Sequence, residues 1–262
     1  MPPRRRSAEV PQRRWPILLL MVCGVLAGVA LWAYAPSLPP DTLAQRYTNS
    51  RSTFIDVGGA RVHVRDEGKR DGMPLLMIHG SMGSLHVWEG WVAALKNRAR
   101  LISVDLPGHG LTGGWPRDEY TIEAYADFIE VLADTLNLDR FAIAGHSMGG
   151  AVAWNFAATR PDRVTQLILI ASAGFPGDGG PPLITQLTRL PVLGDLGIWF
   201  KPESLVRRSL EDAYGDPAMV TPERLHRYAE LQRFPGNRRA TLARARTQDT
   251  LDPSILKRRS EE

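Results

Sequence analysis

"AIAGHSMGGAVA", residues 142–153, decides how this chain is read. Its first half is small and apolar, as in a buried strand. Its second half, beginning at Met148, suits a helix. Between them stands Gly145-His146-Ser147-Met148-Gly149, which fits G-x-S-x-G. In a strand–turn–helix context this pattern lifts a serine hydroxyl clear of its surroundings. A hydroxyl is a weak nucleophile at neutral pH and needs a base to take its proton and a group to hold that base. Two questions follow: what scaffold carries the turn, and where the partners of Ser147 are.

The scaffold emerges on both sides of the turn. Upstream, "TFIDVGGARVHVRDEG" reads as two strands joined at Gly58-Gly59. "PLLMIHG" (74–80) and "RLISVDLPGHG" (100–110) read as buried strands running into glycine-rich loops. "HVWEGWVAAL" (86–95) fits an amphipathic helix. In 121–138 the apolar Ile122, Tyr125, Ile129, Leu132 and Leu136 recur at three-to-four spacing behind Thr121, a suitable cap. Downstream, "VTQLILIASAG" (164–174) is a further strand. Strands apolar throughout and alternating with helices predict a mostly parallel, doubly wound α/β sheet covered on both faces. Then "FPGDGGPP" (175–182) breaks the pattern, and 183–247 reads as short lid-like helices rich in Arg, Leu and Pro.

The N-terminus accounts for the charge. The five arginines of residues 1–14, less Glu9, supply the whole formal net charge of +4. The remainder is neutral, which removes the case for a nucleic-acid partner. Residues 17–35 carry no charge. Nineteen residues of helix measure about 28 Å, near the roughly 30 Å of a bilayer core, with Trp15, Trp32 and Tyr34 at the ends. The expectation is a transmembrane signal anchor, with a cytoplasmic N-terminus and an extracytoplasmic (periplasmic in a bacterium) globular part. A cleaved signal peptide is the rival, disfavoured by Pro36 after Ala33-Tyr34-Ala35. Cys23, the lone cysteine, excludes a disulfide framework and a Cys-based metal cluster. No cofactor or metal is expected. The expected divisions are a basic segment 1–14, the anchor 15–35, a proline-rich linker 36–52, an incomplete core 53–175, and a lid-like segment with tail 176–262.

In a parallel sheet, function gathers at the carboxyl ends of strands. Three such loops carry unusual residues: His79-Gly80-Ser81-Met82-Gly83, Asp105-Leu106-Pro107-Gly108-His109-Gly110, and the turn at Ser147. Together, in this order and spacing, they resemble the α/β-hydrolase superfamily, in its serine esterase, lipase and carbon–carbon-bond hydrolase branch. The resemblance covers 53–175 well and 183–247 loosely. It implies a nucleophile at Ser147 and an oxyanion hole from the backbone N–H groups of Met148 and Ser81. It also implies an acyl-enzyme mechanism on an ester-like small molecule. Serine at the turn argues against relatives that use aspartate there.

The other histidines have plainer roles. His79 is expected to order its loop, His109 to fix its own, and His146 to point away from Ser147. His63 is expected to face solvent, and His86 to stand near the site's mouth. Trp88 and Trp91 are expected in the core, and the arginines of 224–246 on a solvated lid face.

The partners of Ser147 are the difficulty. The resemblance implies the order serine, acid, histidine. After Ser147 only His226 offers an imidazole, in a helical stretch with no strand before it, so it is a poor candidate base. No aspartate after Ser147 follows a strand in the implied way, and the chain stops about where the next strand would begin. Two readings result: an esterase-like hydrolase, or a truncated, catalytically impaired relative serving as an inactive fragment or a binding or scaffold protein.

Overall fold

The computed structural model describes residues 15–175, 189–190, 192–200, 203–247 and 251–254. The chain divides into two compact units, residues 1–34 and 35–262. In the first, α1 (Trp15–Ala33) is a single helix with no charged residue, and Leu18, Leu20, Val25, Leu26 and Leu31 are exposed. The expected transmembrane anchor is not supported, because no helix among the described residues is long and apolar enough to cross a membrane.

The second unit begins earlier than the sequence suggests. The expected linker 36–52 contains α2 (Pro40–Tyr47), opened by proline in its first turn, where the missing N–H costs nothing. Leu43 of α2 is fully buried against Leu111 and Leu231. The stretch before α2 is tied down too, by Leu38 N–H donating to Arg233 O at 2.9 Å and Ala35 N–H donating to Trp199 O at 3.0 Å.

Among the described residues six strands follow: β1 (Ser52–Val57), β2 (Ala60–Gly68), β3 (Pro74–Ile78), β4 (Arg100–Val104), β5 (Phe141–His146) and β6 (Val164–Ile170), in sheet order β1-β2-β4-β3-β5-β6. β1 pairs antiparallel with β2, and β2 antiparallel with β4; the other pairings are parallel. The sheet is therefore mixed, with an antiparallel end where the sequence reads only as a hairpin. Side-chain alternation sorts the core. Leu76, Ile78, Ile102 and Val104 face α4 (Ile122–Thr135) and α5 (Met148–Thr159). Leu75, Met77 and Leu101 face the other way, onto Trp88 and the flank of α3 (Glu89–Leu95). Each large aliphatic side chain so buried contributes about 1.5–3 kcal/mol. Thr121 caps α4, its hydroxyl accepting from Ala124 N–H at 3.0 Å. β6 is different. None of its residues is fully buried, and no described strand pairs with its outer edge.

The lid-like part forms α6 (Leu193–Gly197), α7 (Glu203–Tyr214), α8 (Pro222–Leu231) and α9 (Asn237–Arg246). α7 and α8 share a small core of Val206, Leu210, Val220 and Leu225. α9 is not the solvated arginine face expected. Ala240 belongs to the main core, and Arg238 is buried with its guanidinium over the Trp199 ring. The reason is close approach: Gly108 leaves room for Ala240, and Gly113 and Gly114 for Phe234 and Gly236.

Candidate active site

Register places the three loops side by side. Ile78 is partnered with Val104 on one side and Gly145 on the other, so β3, β4 and β5 end at one level. Ser147 sits directly after β5, at the N-cap of α5, with φ 53° and ψ −121°. This conformation is costly for a residue with a Cβ. It is held from several sides. Ser147 N–H donates to Ile170 O at 3.0 Å, and Ser147 O accepts from the N–H groups of Gly150, Ala151 and Ala173. The flanking glycines are obligatory. A Cβ on Gly145 would stand 2.1 Å from Gly149 O, and one on Gly149 would stand 2.4 Å from both Ile78 O and His79 O.

The loop after β3 closes over this turn. A Cβ on Gly80 would lie 3.0 Å from the Ser147 Cβ, so glycine lets the loop backbone lie this close without displacing the turn. His79, fully buried, fixes the loop as expected. Its Nδ1 donates to Gly80 O at 2.7 Å and its Nε2 accepts from Leu106 N–H at 3.1 Å. That pattern requires the neutral ring, and burial lowers its pKa accordingly. The N–H groups of Met148 and Ser81 make no hydrogen bond among the described residues. Two unpaired donors beside the positive end of α5 form a place that favours developing negative charge.

Ser147 Oγ, by contrast, has no hydrogen-bond partner among the described residues. His226 is not brought to it. It lies on α8 with a mostly exposed side chain, 3.8 Å from Glu203. His146 is half-buried beside Gly80, its pKa lowered by burial alone. Of the aspartates after Ser147, Asp252 accepts from the N–H and hydroxyl of Ser254, and Asp195 pairs with Arg246. No group of His, Cys, Asp and Glu suited to a metal ion occurs among the described residues.

The second loop contains what sequence reading missed. His63 is fully buried rather than solvent-facing, because α2 and Phe54 cover the outer side of β2. Its Nδ1 donates to Asp105 Oδ2 at 2.8 Å, and its Nε2 accepts from Ser52 Oγ at 2.9 Å. Serine, imidazole and carboxylate are thus in line, away from Ser147. This chain is structural. The Ser52 oxygen already accepts from Asn49 N–H and Arg65 Nε, which leaves no lone pair for attack. Asp105 also accepts from the N–H groups of Leu85 and Leu111. Burial alone would push this carboxyl up, but the hydrogen bond from His63 holds it below the usual range. Asp105 thereby pins β2, the segment after the first loop and the second loop to one another.

His86 is buried as well, not at a substrate mouth. Its Nε2 lies 2.9 Å from Arg65 Nη2 and 3.0 Å from Tyr47 O, and its Nδ1 lies 3.0 Å from Ser84 Oγ. Burial, with the neighbouring Arg65 and Arg227, lowers its pKa to about 4. A cavity of about 220 Å³ opens beside it, lined by Arg46, Arg65, Glu89 and Arg227 among others. Its charges close on themselves, through Arg65–Glu89, Arg227–Glu89 and Arg46–Glu230 pairs. His109 is buried, its Nδ1 bound to Pro107 O at 3.2 Å.

Comparison with known proteins agrees with this architecture. The family model described as alpha/beta hydrolase fold matches residues 73–197. A Pseudomonas putida dihydrolipoyllysine-residue acetyltransferase component of an acetoin cleaving system is 33% identical over 88% of this chain and 62% of its own length. A Nitrosomonas europaea pimeloyl-[acyl-carrier protein] methyl ester esterase is 41% identical over 43% of this chain and 42% of its own. The chain thus spans less than two thirds of these curated relatives. The structure of Cfl2 from Burkholderia cenocepacia superposes with a TM-score of 0.68 at 23% identity, over 80% of this chain and 74% of that one, and speaks for the fold alone. With the mixed sheet, the strand–Ser147–helix turn and the facing glycine loop, these matches identify the chain as a member of the α/β-hydrolase superfamily.

Proposed function

We propose that this chain carries the nucleophile and oxyanion hole of a serine hydrolase acting on ester-type small molecules. The observation that carries the reading is Ser147, strained at the head of α5 with the unpaired N–H groups of Met148 and Ser81 beside it. In this reading Ser147 Oγ bonds to the ester carbonyl carbon as its hydroxyl proton passes to solvent, and the carbonyl oxygen takes the charge against the two N–H groups. The carbonyl re-forms as the C–O bond to the alcohol breaks, the alcohol oxygen taking a proton from solvent, and water then adds to the acyl carbon, releasing the acid and returning the proton to Ser147. Each donor is worth about 2.7–4 kcal/mol in the transition state. Similarity to a methyl ester esterase supports the substrate class.

A second reading rests on a specific observation: no imidazole or carboxylate of the described residues bonds to Ser147. On that reading the chain is a catalytically impaired relative that binds rather than turns over. Hydrolysis of a short-chain nitrophenyl ester separates the two. A wild-type rate well above that of Ser147→Ala supports the hydrolase, and equal rates overturn it.

We further propose a membrane location, with the globular part outside the cytoplasm. The support is compositional: arginines precede an uncharged helix whose leucines and valines are exposed. Recovery of the full chain in the carbonate-washed membrane fraction, with protease access from the outer side only, is the expected result. A wholly soluble chain overturns it.

A further inference from the structure

The oxyanion loop is held from a second direction. Gly80 to Gly83 form a tight turn, with Gly83 N–H donating to Gly80 O at 3.1 Å. Ser81 and Met82 are its central residues. Met82, in third position, has φ 61°, where a turn of this kind ordinarily requires glycine. Left to itself, a methionine there relaxes to negative φ, because the left-handed region costs a side-chain-bearing residue roughly 1–2 kcal/mol. Within its loop, His79 braces Gly80 but does not reach Met82.

What reaches Met82 is Gln232. Its Nε2 donates to Met82 O at 3.0 Å. Gln232 follows α8 directly and is 3% exposed, far below what a glutamine usually shows. The end of α8 is itself fixed. Asn237 Nδ2 donates to both Leu231 O and Gly110 O, Leu231 packs on Leu43 and Leu111, and Glu230 accepts from Tyr47 Oη at 2.7 Å. The donor is thus mounted on a braced helix end and aimed at the one strained carbonyl of the turn.

We infer that Gln232 is a positioning residue for the oxyanion hole: its amide holds Met82 in the left-handed conformation and so fixes the N–H of Ser81. The inference rests on the serine-hydrolase reading for its catalytic meaning, and on geometry alone for its structural meaning. It makes the lid helix α8 part of the apparatus that sets the hole. It also assigns a purpose to the strain at Met82.

Three variants of the full chain test it: Gln232→Ala, Met82→Gly and the double variant. Hydrogen exchange of the Gly83 amide, the hydrogen-bonded N–H of the turn, should quicken about tenfold in Gln232→Ala, with exchange in β5 unchanged. The double variant should return toward wild type, because glycine takes positive φ without restraint. Where ester turnover depends on Ser147, Gln232→Ala should lower kcat about tenfold with KM within twofold, since an oxyanion donor acts in the transition state. The double variant should recover most of that loss. Unchanged exchange in Gln232→Ala overturns the inference. So does a loss that Met82→Gly fails to restore, which would make Gln232 a lid tether only. If wild type and Ser147→Ala turn over ester equally, the hydrolase reading falls, and the exchange result still decides the role of Gln232.

Discussion

His63 and Asp105 are joined at 2.8 Å with neither side chain exposed to solvent. This pair sits where β2, the first loop and the second loop meet, and it holds the scaffold of the site rather than its chemistry. Removing one partner leaves the other buried without compensation, at about 3–5 kcal/mol. His63→Ala and Asp105→Asn should each lower the urea midpoint by that equivalent. Ser52→Ala should cost less, since it removes a neutral hydroxyl and leaves the His63–Asp105 hydrogen bond in place. Equal losses for all three would show that Ser52 matters as much as the His63–Asp105 pair.

The buried histidines set a pH dependence. Burial lowers the folded-state pKa of His79, His86 and His109. A depressed folded value means the unfolded chain binds the proton first, so their contribution is fully present above pH 6.5 and falls away below it. For His86 the window runs from about 6.5 to about 4. Thermal midpoints measured from pH 7.5 to 4.5 should fall, as stability declines by at most about 1.4 kcal/mol per pH unit for each group. His86→Gln should flatten part of that slope. A slope unchanged by the substitution would place the titration elsewhere.

Two glycine substitutions should diverge. Gly149→Ala drives a Cβ to within 2.4 Å of two backbone oxygens that cannot yield, and should leave little soluble folded protein. Gly90→Ala, in α3 with nothing within 4 Å, should stabilise by about 0.5–1 kcal/mol through helix propensity. Circular dichroism melts of the two purified variants read this directly.

Ser147 carries strain that glycine would not. Ser147→Gly should raise stability by about 1 kcal/mol while abolishing any Ser147-dependent ester hydrolysis, a trade expected at functional positions. A variant less stable than wild type would mean that the turn's hydrogen bonds, not its dihedrals, dominate there.

Much of this was legible in the sequence. The period of 122–135 and the cap at Thr121 announced α4. Glycines on both sides of Ser147 announced the turn, and His79 announced its role as a brace. What stayed hidden depends on segments distant in the chain. His63 and His86 read as surface residues because the cover over them is α2 and its neighbourhood, and Pro-rich 36–42 looks like a spacer until Leu43 finds Leu111 and Leu231. Arg238 read as solvated because its burial depends on the bareness of Gly113 and Gly114, well over a hundred residues away. Gln232 gave no signal at all, since its meaning lies in the carbonyl of Met82.

The strand order has a consequence for how the chain is made. β3 lies between β4 and β5, both later in the sequence, and the β1–β2 hairpin reaches the sheet only through β4. As the polypeptide leaves the ribosome, the apolar Leu75–Ile78 segment therefore has no edge to join until β4 emerges, and stays half-paired until β5 follows. Ser147 comes immediately after that last central strand. The turn that bears it is thus among the last features of the central sheet to be placed, and slowed elongation before residue 146 prolongs the interval in which a sticky nascent strand depends on chaperones.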